Sequence, residues 1–159
     1  MDNCQIIQRQ MPIALSDLLN EPQVALRLNT RDQSDALREL VQLLVATGKI
    51  DGVDKFLEEL TAREQARPSV IDHGVAFPHL RTDLVDEIVL GIGRSKAGVQ
   101  FAGGETANLI FLIGVPQRMA SEYLICVGAL ARLLQDEAVR TALMRARTTA
   151  EFVDVLKQV

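Results

Sequence analysis

His73 and His79 are the only histidines in the chain, and both fall in the stretch 72–83, DHGVAFPHLRTD. Neutral imidazole offers one ring nitrogen with a lone pair near neutral pH, which suits it to accept a transferred group. Arg63, Arg67 and Arg81 stand close by in sequence, and Ser69 adds a hydroxyl donor. Guanidinium groups present planar pairs of donors that match phosphate oxygens. Phosphoryl transfer asks mainly for positioning and for donors aimed at the moving oxygens. A histidine that itself takes a phosphoryl group is therefore one reading. The other puts the arginines on a solvated face and packs the histidine after Pro78 as an ordinary residue. Spacing alone favours the second, since short motifs are unspecific.

Two other chemistries fit less well. Zinc generally takes three or four His, Cys or carboxylate ligands. Two histidines across a proline, with Cys4 and Cys126 far from them and from each other, do not supply that set. Neither a metal nor a cofactor is expected. Ser69, Asp72 and a histidine are near one another in sequence, but the chain has no G-x-S-x-G turn to present a nucleophilic serine.

The elements that must carry these residues are read from apolar spacing. Val24–Leu28 alternates as a strand. Thr30-Arg31-Asp32-Gln33 has the form of a capping box before a helix with Leu37, Leu40, Val41 and Leu44 inward, ended by Gly48. Asp51 is placed to cap a second helix, which buries Val53, Phe56, Leu57 and Leu60 and ends near Arg63 or Glu64 before Pro68. Residues 70–78 read as a short strand and turn, and Ile88–Ile92 and Leu109–Ile113 as buried strands. The stretch between those two, GVQFAGGETAN, reads as turn-rich and exposed. A third helix buries Leu124, Val127, Leu130, Leu133 and Leu134, and a fourth Val139, Leu143 and Met144. A last one follows the capping box Thr148-Thr149-Ala150-Glu151. The expected fold class is α/β, a single-domain mixed β-sheet covered by α-helices on both faces.

Composition bounds the rest. The chain has 159 residues, 48% hydrophobic and 24% charged, with a net charge of −4, so one ordinary globular domain over residues 1–159 is expected, with residues 1–12 a loosely ordered N-terminal segment. An acidic balance argues against nucleic acid or an anionic membrane as main partner. The longest apolar run, Leu109 to Val115, is far short of a membrane span of about 20 residues. Two isolated cysteines and no signal-peptide pattern at the start fit a reduced, cytoplasmic setting.

The segment REQARPSVIDHGVAFPH, residues 63–79, resembles the active-site segment of the type-2 enzyme IIA domains of the bacterial phosphoenolpyruvate-dependent phosphotransferase system, the fructose/mannitol and nitrogen-regulatory IIA proteins. Arg63-Glu64, Ser69 and Gly74-Val75-Ala76-Phe77-Pro78-His79 fall at the family's spacing. LSDLL at residues 15–19, DALRELVQLLVATGKI, LIFLIGVP and LARLLQDEAVRTAL also look like the family. The resemblance implies that His79 accepts a phosphoryl group from an HPr-like phosphocarrier protein, with Arg63 near that group and Ser69 helping to orient it. The downstream receiver, a regulatory protein or a IIB-type acceptor, stays unknown. With no IIB or permease segment in the sequence, a nitrogen-type regulatory output is expected rather than sugar uptake.

Two departures stand against the pattern. Where the family has a second, supporting histidine, this chain has Tyr123. A phenol, with a free pKa of about 10, can donate a hydrogen bond but does not readily become cationic near pH 7. VIDHG stands where GIGNG is common, which puts Asp72 near an expected anion and His73 in a turn slot usually held by asparagine. Histidine tolerates the positive φ that such a slot requires. An active phosphocarrier, a phosphohistidine phosphotransferase component, and a regulatory binding module with a degenerate site both remain open.

Overall fold

The computed structural model describes residues 23–157, except for the side chains of Ala120, Tyr123 and Cys126. The expected N-terminal segment 1–12, LSDLL at 15–19 and Cys4 lie outside the described residues.

The sheet is built on its most apolar strand, β5 (Thr106–Val115), buried from Leu109 to Val115. The long strand β4 (Val89–Gln100) runs antiparallel to it, pairing Leu90 with Ile113 and Arg94 with Leu109, with an irregularity between Arg94 and Val99. β1 (Val24–Ala25) lies parallel to β4 on its far side. Two short strands lie parallel to the other edge of β5: β2 (Val75–Ala76) opposite Leu109 and Ile110, and β3 (His79–Arg81) opposite Ile113 to Val115. Phe77 and Pro78 interrupt them, because proline has no N–H for the ladder. Its carbonyl still accepts from Ile113 N at 2.9 Å.

Side chains alternate across β5. Leu109, Phe111, Ile113 and Val115 pack with Leu130, Leu143, Phe152 and Leu156. These come from α3 (Ala120–Leu133), α4 (Glu137–Arg145) and α5 (Thr149–Lys157). Ile110 and Leu112 face Leu37, Leu40, Phe56 and Leu60, from α1 (Gln33–Ala46) and α2 (Val53–Ala66). The expected mixed sheet with helices on both faces is what forms.

Several local expectations are corrected. The strand at Val24–Leu28 stops at Ala25, because the Leu26 carbonyl is taken by Arg94 Nε at 3.1 Å. The cap of α1 is Asp32, whose carboxylate accepts from Asp35 N at 3.2 Å; Thr30 Oγ1 instead accepts from Asp32 N and shapes the turn before it. α2 starts after Gly52 without a side-chain cap and runs to Ala66, a little past the expected end. The stretch 98–108 is mostly strand, with only 101–105 between β4 and β5, and Val99, Phe101 and Ala107 are buried. Its alternation packs these three against the α1–α2 face. Leu124 is 64% exposed rather than buried, and α3 packs through Leu130 further along. At α5, Thr148 Oγ1 accepts from Glu151 N as expected, while the Glu151 carboxylate accepts from Arg147 N, one residue earlier than a capping box requires.

Candidate functional site

α2 delivers the first site residue by its periodicity. Phe56 and Leu60 are fully buried, and positions three and four residues on share a helix face. That repeat carries Arg63 and Glu64 toward the sheet, Arg63 half-buried and Glu64 buried. Gly114 permits the approach: a Cβ there would lie 2.8 Å from Val89 Cγ2 and 3.2 Å from the Phe56 ring.

β3 supplies the second. Its first residue, His79, is held opposite Ile113 by the ladder to β5. Phe77, two residues earlier, stacks on Phe111 with centroids 5.5 Å apart, which anchors the chain before Pro78. His79 Nδ1 lies 3.1 Å from the Phe77 carbonyl, and Arg63 Nη2 lies 3.0 Å from His79 Nε2. A carbonyl only accepts and a guanidinium only donates. One neutral tautomer satisfies both contacts: hydrogen on Nδ1, lone pair on Nε2. The lone pair thus faces the guanidinium, which Arg63 steadies by donating from Nη1 to the Arg67 carbonyl at 2.8 Å. A nitrogen nucleophile with an adjacent fork of donors is an arrangement suited to an incoming phosphoryl group.

Ser69 is tied back to α2 through Glu64, the residue next to Arg63. The Glu64 carboxylate accepts from Ser69 N at 3.0 Å and from Ser69 Oγ. Gln33 Nε2 donates to the same carboxylate at 3.3 Å, and Gln33 Oε1 accepts from Ala102 N at 3.1 Å. Glu64 therefore joins α1 and the β4–β5 turn to the loop after α2. Sequence reasoning gave Glu64 no role. The signal was its place four residues beyond Leu60, on the face that Phe56 and Leu60 bury.

The remaining residues fall into place as follows. His73 has φ 52° and Gly74 φ 75°, and Asp72 and Val75 exchange both backbone hydrogen bonds across them, at 3.1 and 2.9 Å. Positive φ at both central positions is the pattern of a type I′ turn, so His73 is the turn residue that the sequence suggested. Its Nδ1 meets the exposed Asp72 carboxylate at 2.8 Å. Arg81 is exposed and reaches the Gln117 carbonyl at 3.4 Å. Arg67 enters through its carbonyl, with an exposed side chain. Tyr123 lies in α3, but its side chain lies outside the described residues. Among the described residues no group of three or more His, Cys, Asp or Glu side chains could hold a metal ion, and no helix is long and apolar enough to cross a membrane.

The sequence model of the family described as "Phosphoenolpyruvate-dependent sugar phosphotransferase system, EIIA 2" matches residues 17–159, and the chain belongs to that family. The fructose-specific EIIA component of Haloferax volcanii is 32% identical over 126 residues, covering 78% of this chain and 82% of that protein. The fructose-specific EIIABC component of Bacillus subtilis is 27% identical over 146 residues, 91% of this chain, which spans 23% of that longer relative. The crystal structure of the nitrogen regulatory protein IIA-Ntr from Neisseria meningitidis superposes with a TM-score of 0.80 at 25% identity, covering 89% of this chain and 98% of that one.

Proposed function

We propose that this chain is a phosphocarrier that accepts a phosphoryl group on His79 Nε2 from an HPr-like phosphocarrier protein. The observation that supports it most is the placement of His79 between the Phe77 carbonyl and the Arg63 guanidinium. In the transfer, a bond forms between Nε2 and phosphorus as the donor's phosphohistidine N–P bond breaks. His79 keeps its Nδ1 hydrogen, bound to Phe77 O, and becomes a phosphorylated imidazolium. The donor's protonated phosphohistidine leaves as neutral imidazole. Arg63 moves from Nε2 to the transferred oxygens, and Ser69 turns its one hydroxyl hydrogen from Glu64 to the same group while its N–H stays on the Glu64 carboxylate. The output is regulatory, of the nitrogen type, rather than sugar uptake. The likeness to a nitrogen regulatory protein supports this branch, and the fructose-specific relatives support the other.

One observation favours a second reading, a regulatory binding module without turnover: Tyr123 stands where the family resemblance places a supporting histidine. The experiment is incubation with phosphoenolpyruvate, enzyme I and the phosphocarrier protein of the source organism, read by intact mass. The carrier reading expects one acid-labile phosphoryl group on the wild type and none on His79→Ala. No label on the folded wild type sinks it. Tyr123→His then separates the two readings: faster labelling marks a weakened carrier, and no label in either form marks the binding module.

A further inference from the structure

A cleft of about 770 Å³ opens where β1 and β4 meet the end of α4, and its walls carry Arg27, Arg94, Lys96, Arg145 and Arg147. No carboxylate lines it. Among the described residues none of the five cations is in an ion pair. In a chain of net charge −4, five unneutralised positive groups in one hollow reverse the local field and concentrate anions there.

The five are not equivalent. Arg94 is 8% exposed and forms the floor. Its Nη1 donates to the carbonyls of Leu143 and Ala146 at 2.8 and 2.7 Å, and its Nε to that of Leu26. Its Nε and Nη1 hydrogens are thereby committed, which fixes the charge in place. Burial and the like charge of Arg27 push Arg94 below the ordinary arginine range, as expected for facing cations with no anion between them. Arg27, Lys96, Arg145 and Arg147 are exposed and leave their donors at the rim. Leu26, Leu28 and Met144 give the same cleft an apolar wall. Its volume is that of a small-molecule site and exceeds what a bare phosphate fills.

We infer that this cleft binds a polyphosphorylated metabolite with an apolar or aromatic portion, the chemical class of a nucleoside diphosphate. The rim arginines grip the phosphates in bidentate fashion, and the planar portion lies against Leu26, Leu28 and Met144. The site is separate from His79. His79 pairs with Ile113 and Ile113 with Leu90, whereas Arg94 stands four residues further along β4, on the order of 13 Å at about 3.3 Å per residue. The inference therefore stands or falls independently of phosphoryl transfer.

The test is isothermal titration calorimetry of the full chain with ADP, AMP and inorganic pyrophosphate at low and high salt. ADP is expected to bind saturably at one site, more tightly than AMP or pyrophosphate, and more weakly as salt rises. Arg27→Gln and Arg147→Gln each weaken ADP at least tenfold, while Arg38→Gln, exposed on α1, leaves it unchanged. Circular dichroism confirms that each variant folds. Absence of saturable ADP binding overturns the inference, as does equal weakening by Arg38→Gln. Pyrophosphate binding as tightly as ADP overturns the apolar subsite. A short DNA duplex or phosphatidylserine vesicles binding through the same arginines, with ADP inert, overturns it in favour of a macromolecular surface.

Discussion

Arg63 Nη2 lies 3.0 Å from His79 Nε2, a contact between α2 and the start of β3 across sixteen positions of sequence. Replacing Arg63 by alanine removes the guanidinium bonded to that ring, and labelling of His79 is expected to slow by about 100- to 1,000-fold. Arg63→Lys keeps the charge but loses the fork that serves Arg67 O and the ring together, so it recovers only part of the rate. Rapid-quench measurement of phosphoprotein formation decides. An Arg63→Ala rate within twofold of wild type removes Arg63 from the transfer.

Glu64 is a stability residue as well as a positioning one. Glu64→Leu keeps the bulk but leaves Ser69 N–H and Gln33 without their acceptor, at a cost of about 1–3 kcal/mol. Glu64→Gln retains one oxygen and falls between. Urea unfolding monitored by circular dichroism gives the order wild type, Gln, Leu. A Leu variant as stable as wild type contradicts it.

Gly114→Ala places a methyl group against Val89 and Phe56 at distances that force one of them to shift. Overpacking of this kind costs about 1–3 kcal/mol. Because Phe56 and Arg63 belong to the same helix, labelling of His79 also slows. Thermal melts and labelling rates are both needed. A drop in stability with an unaltered rate shows that α2 absorbs the strain without moving Arg63.

His73→Gly removes a side chain from a position with φ 52°. Relief of about 1–2 kcal/mol of left-handed strain is set against about 0.5–1 kcal/mol of added chain entropy. The net change is small and favourable, about 0–1.5 kcal/mol, and His79 labels as before. Loss of labelling in this variant makes His73 part of the chemistry rather than of the turn.

Much of this was legible in the chain before any coordinates. Apolar spacing located the helices bearing Leu40 and Phe56, and the run LIFLI marked the central strand, because burial imposes period on sequence. The histidine pair separated through the family resemblance, which put His73 in a turn slot before Gly74 and His79 in the motif after Pro78. What escaped notice depends on distant partners. The first strand stops early because Arg94, far along the chain, captures the Leu26 carbonyl. Gly98 to Asn108 read as turn-rich and exposed because glycine and polar residues dominate it, yet Val99 and Phe101 pack with residues of α1. Glu64 stood in the sequence without a role, which only the convergence of Ser69 and Gln33 on its carboxylate supplies.

The atom that decides which nitrogen of His79 carries its hydrogen is a main-chain oxygen, that of Phe77. No substitution at position 77 deletes it. A library of side-chain variants would score this position only for how well it stacks on Phe111, and would miss its electronic role. The orientation of the ring is therefore inherited through the path of the backbone at Pro78 and not through the identity of any neighbour. Side chains around the histidine can change while Nε2 keeps facing Arg63, so long as the chain bends there in the same way.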